Sequence, residues 1–246
     1  MKHQNPSRRQ FIRQFAACTA ALSTSAALTA CGGSSVQPVY VTFEHGVASG
    51  DPLSDRVIIW TRVTPSLNYD GRDFDVSWQV ASDAEFAKIV KTGNAVTNAT
   101  RDFTIKVDVT GLSPNSVYFY RFNFDSRLSP IGKTKTLPTG KVAQVKLAVM
   151  TCSNYPAGYF NVYAEIAKLN DIDAALHLGD YIYEYPRDGY ASQDAVALNR
   201  LVEPKTETVT LTDYRSRYAI YRRDADLQAM HAAVPLIAVW DDHEFA

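Results

Sequence analysis

The chain is predicted to fold as an all-β N-terminal domain followed by an α/β domain, on three observations. Residues 40–140 hold short alternating apolar and polar runs separated by turn signals. Residues 141–246 instead alternate apolar runs with helix-period segments. Each of three apolar runs in the second half stops in a polar cluster: Cys152, Asp180 with Tyr183, and Asp241 to Glu244.

In the first half, Arg56–Val63 is rich in β-branched and aromatic residues, Asp75–Val80 and Phe103–Val109 alternate, and Val117–Phe124 puts Tyr118, Tyr120, Phe122 and Phe124 on one face. Gly111-Leu-Ser-Pro114 before Tyr118 resembles the tyrosine corner of fibronectin type III sandwiches, in which a Tyr hydroxyl bonds back to nearby backbone. Ser82 to Lys88 is a one-turn excursion between strands. His45 is expected to be a hydrogen-bonded structural residue.

In the second half, Val145–Met150, Ala174–Leu178 and Val234–Trp240 are strand-like. Gly158–Leu169 has helical spacing. Asp213 is expected to cap one helix and Asp224 or Asp226 another. The stretch from about 186 to 212 is irregular, which suits a lid or a wall. His177 is expected in the core and His231 at the surface.

The 246 residues are 46% hydrophobic and 21% charged, with net charge −1. Residues 1–30 carry Lys2, Arg8, Arg9 and Arg13 and no acid, so their removal leaves 21 basic against 26 acidic residues, a balance of −5. No nucleic-acid-binding surface is expected from that balance. Ser7-Arg-Arg-Gln-Phe-Ile-Arg13 ahead of an Ala/Thr-rich run matches a twin-arginine export signal. Leu28-Thr-Ala-Cys31-Gly32 resembles a lipobox, with Cys31 as the lipidated residue that would anchor the protein to a membrane. The organisation expected is therefore signal 1–30, linker 31–39, β domain 40–140 and α/β domain 141–246. The product is a membrane-anchored lipoprotein or a periplasmic or extracellular protein. Once Cys18 leaves and Cys31 is lipidated, Cys152 has no disulfide partner.

Taken singly, Gly179-Asp180 is an ordinary turn pair, Tyr183 a packed ring and Asp241-Asp242 a helix cap. Together, and with the three strands parallel and adjacent, they converge on one sheet edge, the place where open α/β sheets hold ligands. A carboxylate such as Asp180 can bridge two cations. The Cys152 thiol and Tyr183 phenol ionise near neutrality only beside a strong cation, since their ordinary pKa values are about 8.5 and 10. Anionic donors favour Fe³⁺, and an all-oxygen neighbouring site suits Ca²⁺. Two such cations would grip a phosphate ester and polarise water into a nucleophile, with His243 as general acid.

Gly46-Val-Ala-Ser-Gly-Asp-Pro52, Trp60-Thr-Arg62, Thr151-Cys-Ser153, Gly179-Asp-Tyr-Ile-Tyr-Glu184, Asp213-Tyr-Arg215 with Arg217-Tyr218, and Trp240-Asp-Asp-His-Glu244 together resemble the alkaline phosphatase D (PhoD-like) family. The resemblance implies a fibronectin-like β domain before a calcineurin-like metallophosphoesterase domain, twin-arginine export, and hydrolysis of phosphomonoesters or phosphodiesters with iron and calcium. It places Cys152, Asp180 and Tyr183 at iron ligands, with Asp180 shared between metals. Asp242 falls at a further metal-ligand position and His243 at the catalytic His. The family continues beyond this motif with more His and Asp ligands. The expectation is a truncated metallophosphoesterase domain, an N-terminal piece without a full metal pair or turnover of its own. The alternative is a non-catalytic surface lipoprotein whose β domain binds a partner.

Overall fold

The computed structural model describes residues 39–245. The export signal, Cys18, Cys31 and most of the linker lie outside them. Strands β1 (Val41–Thr42), β2 (Val47–Gly50), β3 (Arg56–Arg62), β4 (Thr64–Pro65), β5 (Phe74–Ala81), β6 (Ile89–Thr97), β7 (Thr104–Thr110), β8 (Val117–Phe124), β9 (Arg127–Leu128) and β10 (Gly132–Lys135) make up the first half. Strand β11 (Leu147–Met150), helix α1 (Asn161–Lys168), strand β12 (Ala174–His177), helices α2 (Leu211–Tyr221) and α3 (Ala225–Ala233), and strand β13 (Leu236–Ala238) follow.

One sheet has the order β10-β8-β5-β6, antiparallel, with β9 on β8. The other runs β11-β12-β13-β2-β3-β7. Its first three strands are parallel, β13 pairs parallel with β2, and β2-β3-β7 are antiparallel. The chain is thus mostly β, and strands from both halves of the sequence share one sheet. The joint is a single register pair, Leu236 with Gly50. A Cβ on residue 50 would stand 2.7 Å from the Leu236 carbonyl oxygen, so only glycine lets the two strands close there.

Alternation fixes two cores. In the first, Val57, Ile59, Phe74, Val76, Val80, Tyr120 and Phe122 are fully enclosed. Tyr118 Oη accepts from the Ser113 amide at 2.9 Å, as expected of a tyrosine corner. The second core packs Met150 and Ala175 of the parallel strands against α1 and α3 through Tyr163, Ile166, Leu227 and Met230. The opposite face of those strands carries Leu147, Val149, Ile237 and Val239, all exposed, and no described element covers it.

Two helix starts differ in their details. Asp224 is the N-cap of α3, accepting from Asp226 and Leu227 amides. For α2 the cap is Thr210, whose hydroxyl accepts from the Asp213 amide, and Asp213 is the third helical residue of a capping box. Asp213 is therefore the reciprocal partner and not the cap, because Thr210 already has the extended backbone that a cap needs. His231 is buried, at 4% exposure, contrary to its expected surface position, because its ring packs inward onto Tyr181.

The irregular stretch before α2 is held by two buried arginines. Arg200 pairs with Asp224 at 2.6 Å and lies 3.7 Å over the Tyr155 ring. Arg217 donates to the backbone carbonyls of Tyr183, Glu203, Pro204 and Thr206. It ties the stretch to the turn that follows β12.

Candidate metal centre

The parallel register brings the ends of β11, β12 and β13 side by side. The turns leaving them are then laced together. The amides of Cys152 and Ser153 donate to the carbonyls of Gly179 and Asp180, at 3.2 and 2.8 Å. Thr151 Oγ1 donates to Gly179 O at 3.1 Å. From the third strand end, the Glu244 carboxylate accepts from the amides of Asp180, Tyr181 and Asp241, at 3.1, 2.5 and 2.8 Å.

Gly179 has φ +105°, and a Cβ there would stand 2.4 Å from Asp241 Cβ. Cys152 and Asp180 sit at φ +62° and +53°, in the left-handed region that side chains rarely adopt. Strain of this kind persists where surrounding structure enforces it, as at ligand clamps.

The result is a cluster around one carboxylate. Asp180 Oδ2 is 3.4 Å from both Cys152 Sγ and Tyr183 Oη. On the other side, ligand atoms of Asp180, Asp242 and His243 lie within 4.8 Å of one another. Asp180 is buried and its Oδ1 has no hydrogen-bond partner, whereas Cys152 is exposed. Every expected metal-site residue in the described part is in this cluster, and Asp180 is common to both groups.

The electrostatics are those of a site short of positive charge. Burial pushes the Tyr183 phenol well above its ordinary pKa, and Cys152 and Asp180 push it further. For His243, burial acts downward, but the hydrogen bond and charge of Glu184 and the charges of Asp180 and Asp242 outweigh it, so its pKa is raised. The His243 Nδ1 to Glu184 Oε2 contact is 2.8 Å, and the Tyr183 ring lies 4.2 Å from the imidazole. Glu184 thus fixes the ring and leaves Nε2 as the other proton-carrying position.

The donor set fits a cation. A thiol and a phenol meet at one oxygen of a buried carboxylate whose other oxygen has no partner, and none of these groups carries positive charge. His177 stays outside the cluster, bonded to Ser153 Oγ and Tyr163 Oη at 3.0 and 3.2 Å, as a core histidine. The roles of Glu184, Glu244 and Arg217 were not apparent from the sequence. The only hint was the acids that follow β12 and β13, Glu184 and Glu244 among them.

Two family models match in tandem: "PhoD-like phosphatase, N-terminal domain" over residues 28–138 and "PhoD-like phosphatase" over residues 147–246. The chain belongs to the PhoD-like phosphatase family. Alkaline phosphatase D of Bacillus subtilis (strain 168) is 46% identical over 208 residues, which are 82% of this chain and 35% of that protein. A solved structure described as that of PhoD aligns with TM-score 0.76 at 44% identity, over 82% of this chain and 39% of its own. The chain therefore spans little more than a third of the PhoD-like proteins it matches.

Proposed function

We propose that the chain carries one edge of the catalytic centre of an exported phosphoric ester hydrolase acting on phosphomonoesters or phosphodiesters. The observation that carries this reading is Asp180, a buried carboxylate shared between Cys152 and Tyr183 on one side and Asp242 and His243 on the other. Cys152, Tyr183 and Asp180 would hold Fe³⁺, and Asp180 with Asp242 would face Ca²⁺. When bound, such ions supply positive charge for a phosphoryl group and lower the pKa of a bound water. His243, oriented by Glu184, holds the proton for the leaving alkoxide.

The described donors fall short of the roughly six to eight oxygens that calcium takes. The 246 residues on their own are accordingly proposed to lack turnover. A fibronectin-like domain over 40–140, for which the Tyr118 corner speaks, and a calcineurin-like metallophosphoesterase domain over 141–246 are part of the same proposal. The twin-arginine motif and lipobox support export and a lipid anchor on Cys31.

Phosphate titrated into the chain with and without added iron and calcium tests the central part. Binding that requires metal, and that disappears in Asp180→Asn, is expected. Metal-independent binding, or none, would favour the surface lipoprotein reading. For the anchor, Cys31→Ala should leave the membrane fraction, and an unchanged distribution removes it.

A further inference from the structure

A cavity of about 650 Å³ opens beside the 180–182 turn. Tyr181 and Glu244 are in its wall, but none of Cys152, Asp180, Tyr183, Asp242 or His243 is. Trp60, Tyr181, Tyr214, Tyr218 and Trp240 line it, together with Arg222 and His231. Both are buried, at 7% and 4% exposure.

Arg222 Nη2 donates to the His45 and Val47 carbonyls, at 3.0 and 3.3 Å. Its Nε and Nη1, and His231 Nδ1, are buried and make no well-aligned hydrogen bond, although Arg222 stands near enough to the Tyr181 hydroxyl to act on its pKa. Among the described residues Arg222 makes no ion pair. This is a buried guanidinium with no carboxylate paired to it among the described residues.

The carboxylates in the wall are engaged elsewhere. Asp102 is paired with Arg62 at 2.8 Å, and Glu244 is taken up by the amides of Asp180, Tyr181 and Asp241. Arg101 and Arg215 add further positive charge to the wall.

We propose that this cavity binds an organic anion carrying a planar apolar group, its charge balanced by Arg222 and its ring enclosed by Trp60 and the tyrosines. The Arg222 guanidinium already lies 4.9 Å from the Trp60 ring, an arrangement that a planar group extends by stacking. No proposed metal ligand lines the cavity, and the two sites share a wall at Tyr181 and Glu244.

Titration of the full chain with 2-naphthalenesulfonate in excess chelator, followed by tryptophan quenching and calorimetry, tests the proposal. Saturable one-to-one binding is expected, roughly ten-fold or more tighter than that of neutral 2-naphthalenemethanol. Arg222→Met should remove the preference for the charged probe. If circular dichroism shows that this variant does not fold, the two probes on the unaltered chain decide, with Arg215→Gln narrowing the preference. Equal affinity for the two probes, no saturable binding, or binding that is lost on chelation overturns it. Chelation would abolish phosphate binding at the metal edge and leave this binding intact, so the two readings fail separately.

Discussion

Asp180 combines three unfavourable features: a buried carboxylate, a left-handed backbone and an Oδ1 with no hydrogen-bond partner. A residue under those demands trades stability for function. Asp180→Asn should therefore raise the melting temperature of the metal-free chain while abolishing metal uptake. Calorimetry in chelator and metal analysis after reconstitution check the two halves separately. Gly179→Ala should act in the opposite direction. Its φ of +105° alone costs about 1–3 kcal/mol for a side chain, and the clash with Asp241 adds to that. A denaturant midpoint equal to that of the unaltered chain would contradict the geometry. At this scale Cys152, Asp180, Tyr183, Asp242 and His243 were legible in the sequence, because each stands at or just past the end of an apolar run. Glu184 and Arg217 were not. Glu184 meets His243 across 59 positions and Arg217 reaches Tyr183 across 34, and no local pattern encodes such pairings.

Among the elements, the short 3-10 helix Asp242–Glu244 does more than end β13. Its Glu244 side chain clamps the turn after β12 by accepting amides from Asp180 and Tyr181. Glu244→Ala should cost about 1.5–3 kcal/mol, the range for hydrogen bonds to a charged acceptor. Amide exchange at 180–182 should rise with it, and unchanged protection there would contradict the clamp. The Arg200–Asp224 pair is a second such element. Both side chains are nearly enclosed, and Asp224 also caps α3. Removing the acid strands a buried guanidinium, so Asp224→Ala should cost about 3–5 kcal/mol by denaturant unfolding. The parallel strands were legible as apolar runs. The start of α2 was placed at the wrong acid because Thr210 and Asp213 bond reciprocally, and a sequence shows the pair without the direction. The joining of β2 to β13 was not legible either, since it rests on the closeness that Gly50 permits.

For the molecule as a whole, one six-stranded sheet carries both the β2-β3-β7 strands and the edge that presents the metal-site residues. Changes in either half are therefore felt in the other. Three buried histidines make that shared core sensitive to acid. Burial is the main cause in each, lowering His45 to about 3 with help from Arg62, Arg223 and Arg222, and lowering His177 and His231 below their ordinary value. The unfolded chain takes up these protons near pH 6.5 and the folded chain does so only at lower pH. The stability they contribute is thus complete above about 6.5 and is lost as pH falls toward the folded values. Denaturant midpoints should drop between pH 7 and pH 5, and a flat profile would contradict burial of the neutral rings. The central claim is that Asp180, Cys152 and Tyr183 form a cation site, and the visible spectrum of the chain after Fe³⁺ addition tests it most directly. A phenolate-to-iron absorption band that is present in the unaltered chain and absent from Tyr183→Phe and Asp180→Asn is the predicted result. A colourless, iron-free protein, or a band that survives both substitutions, would contradict it.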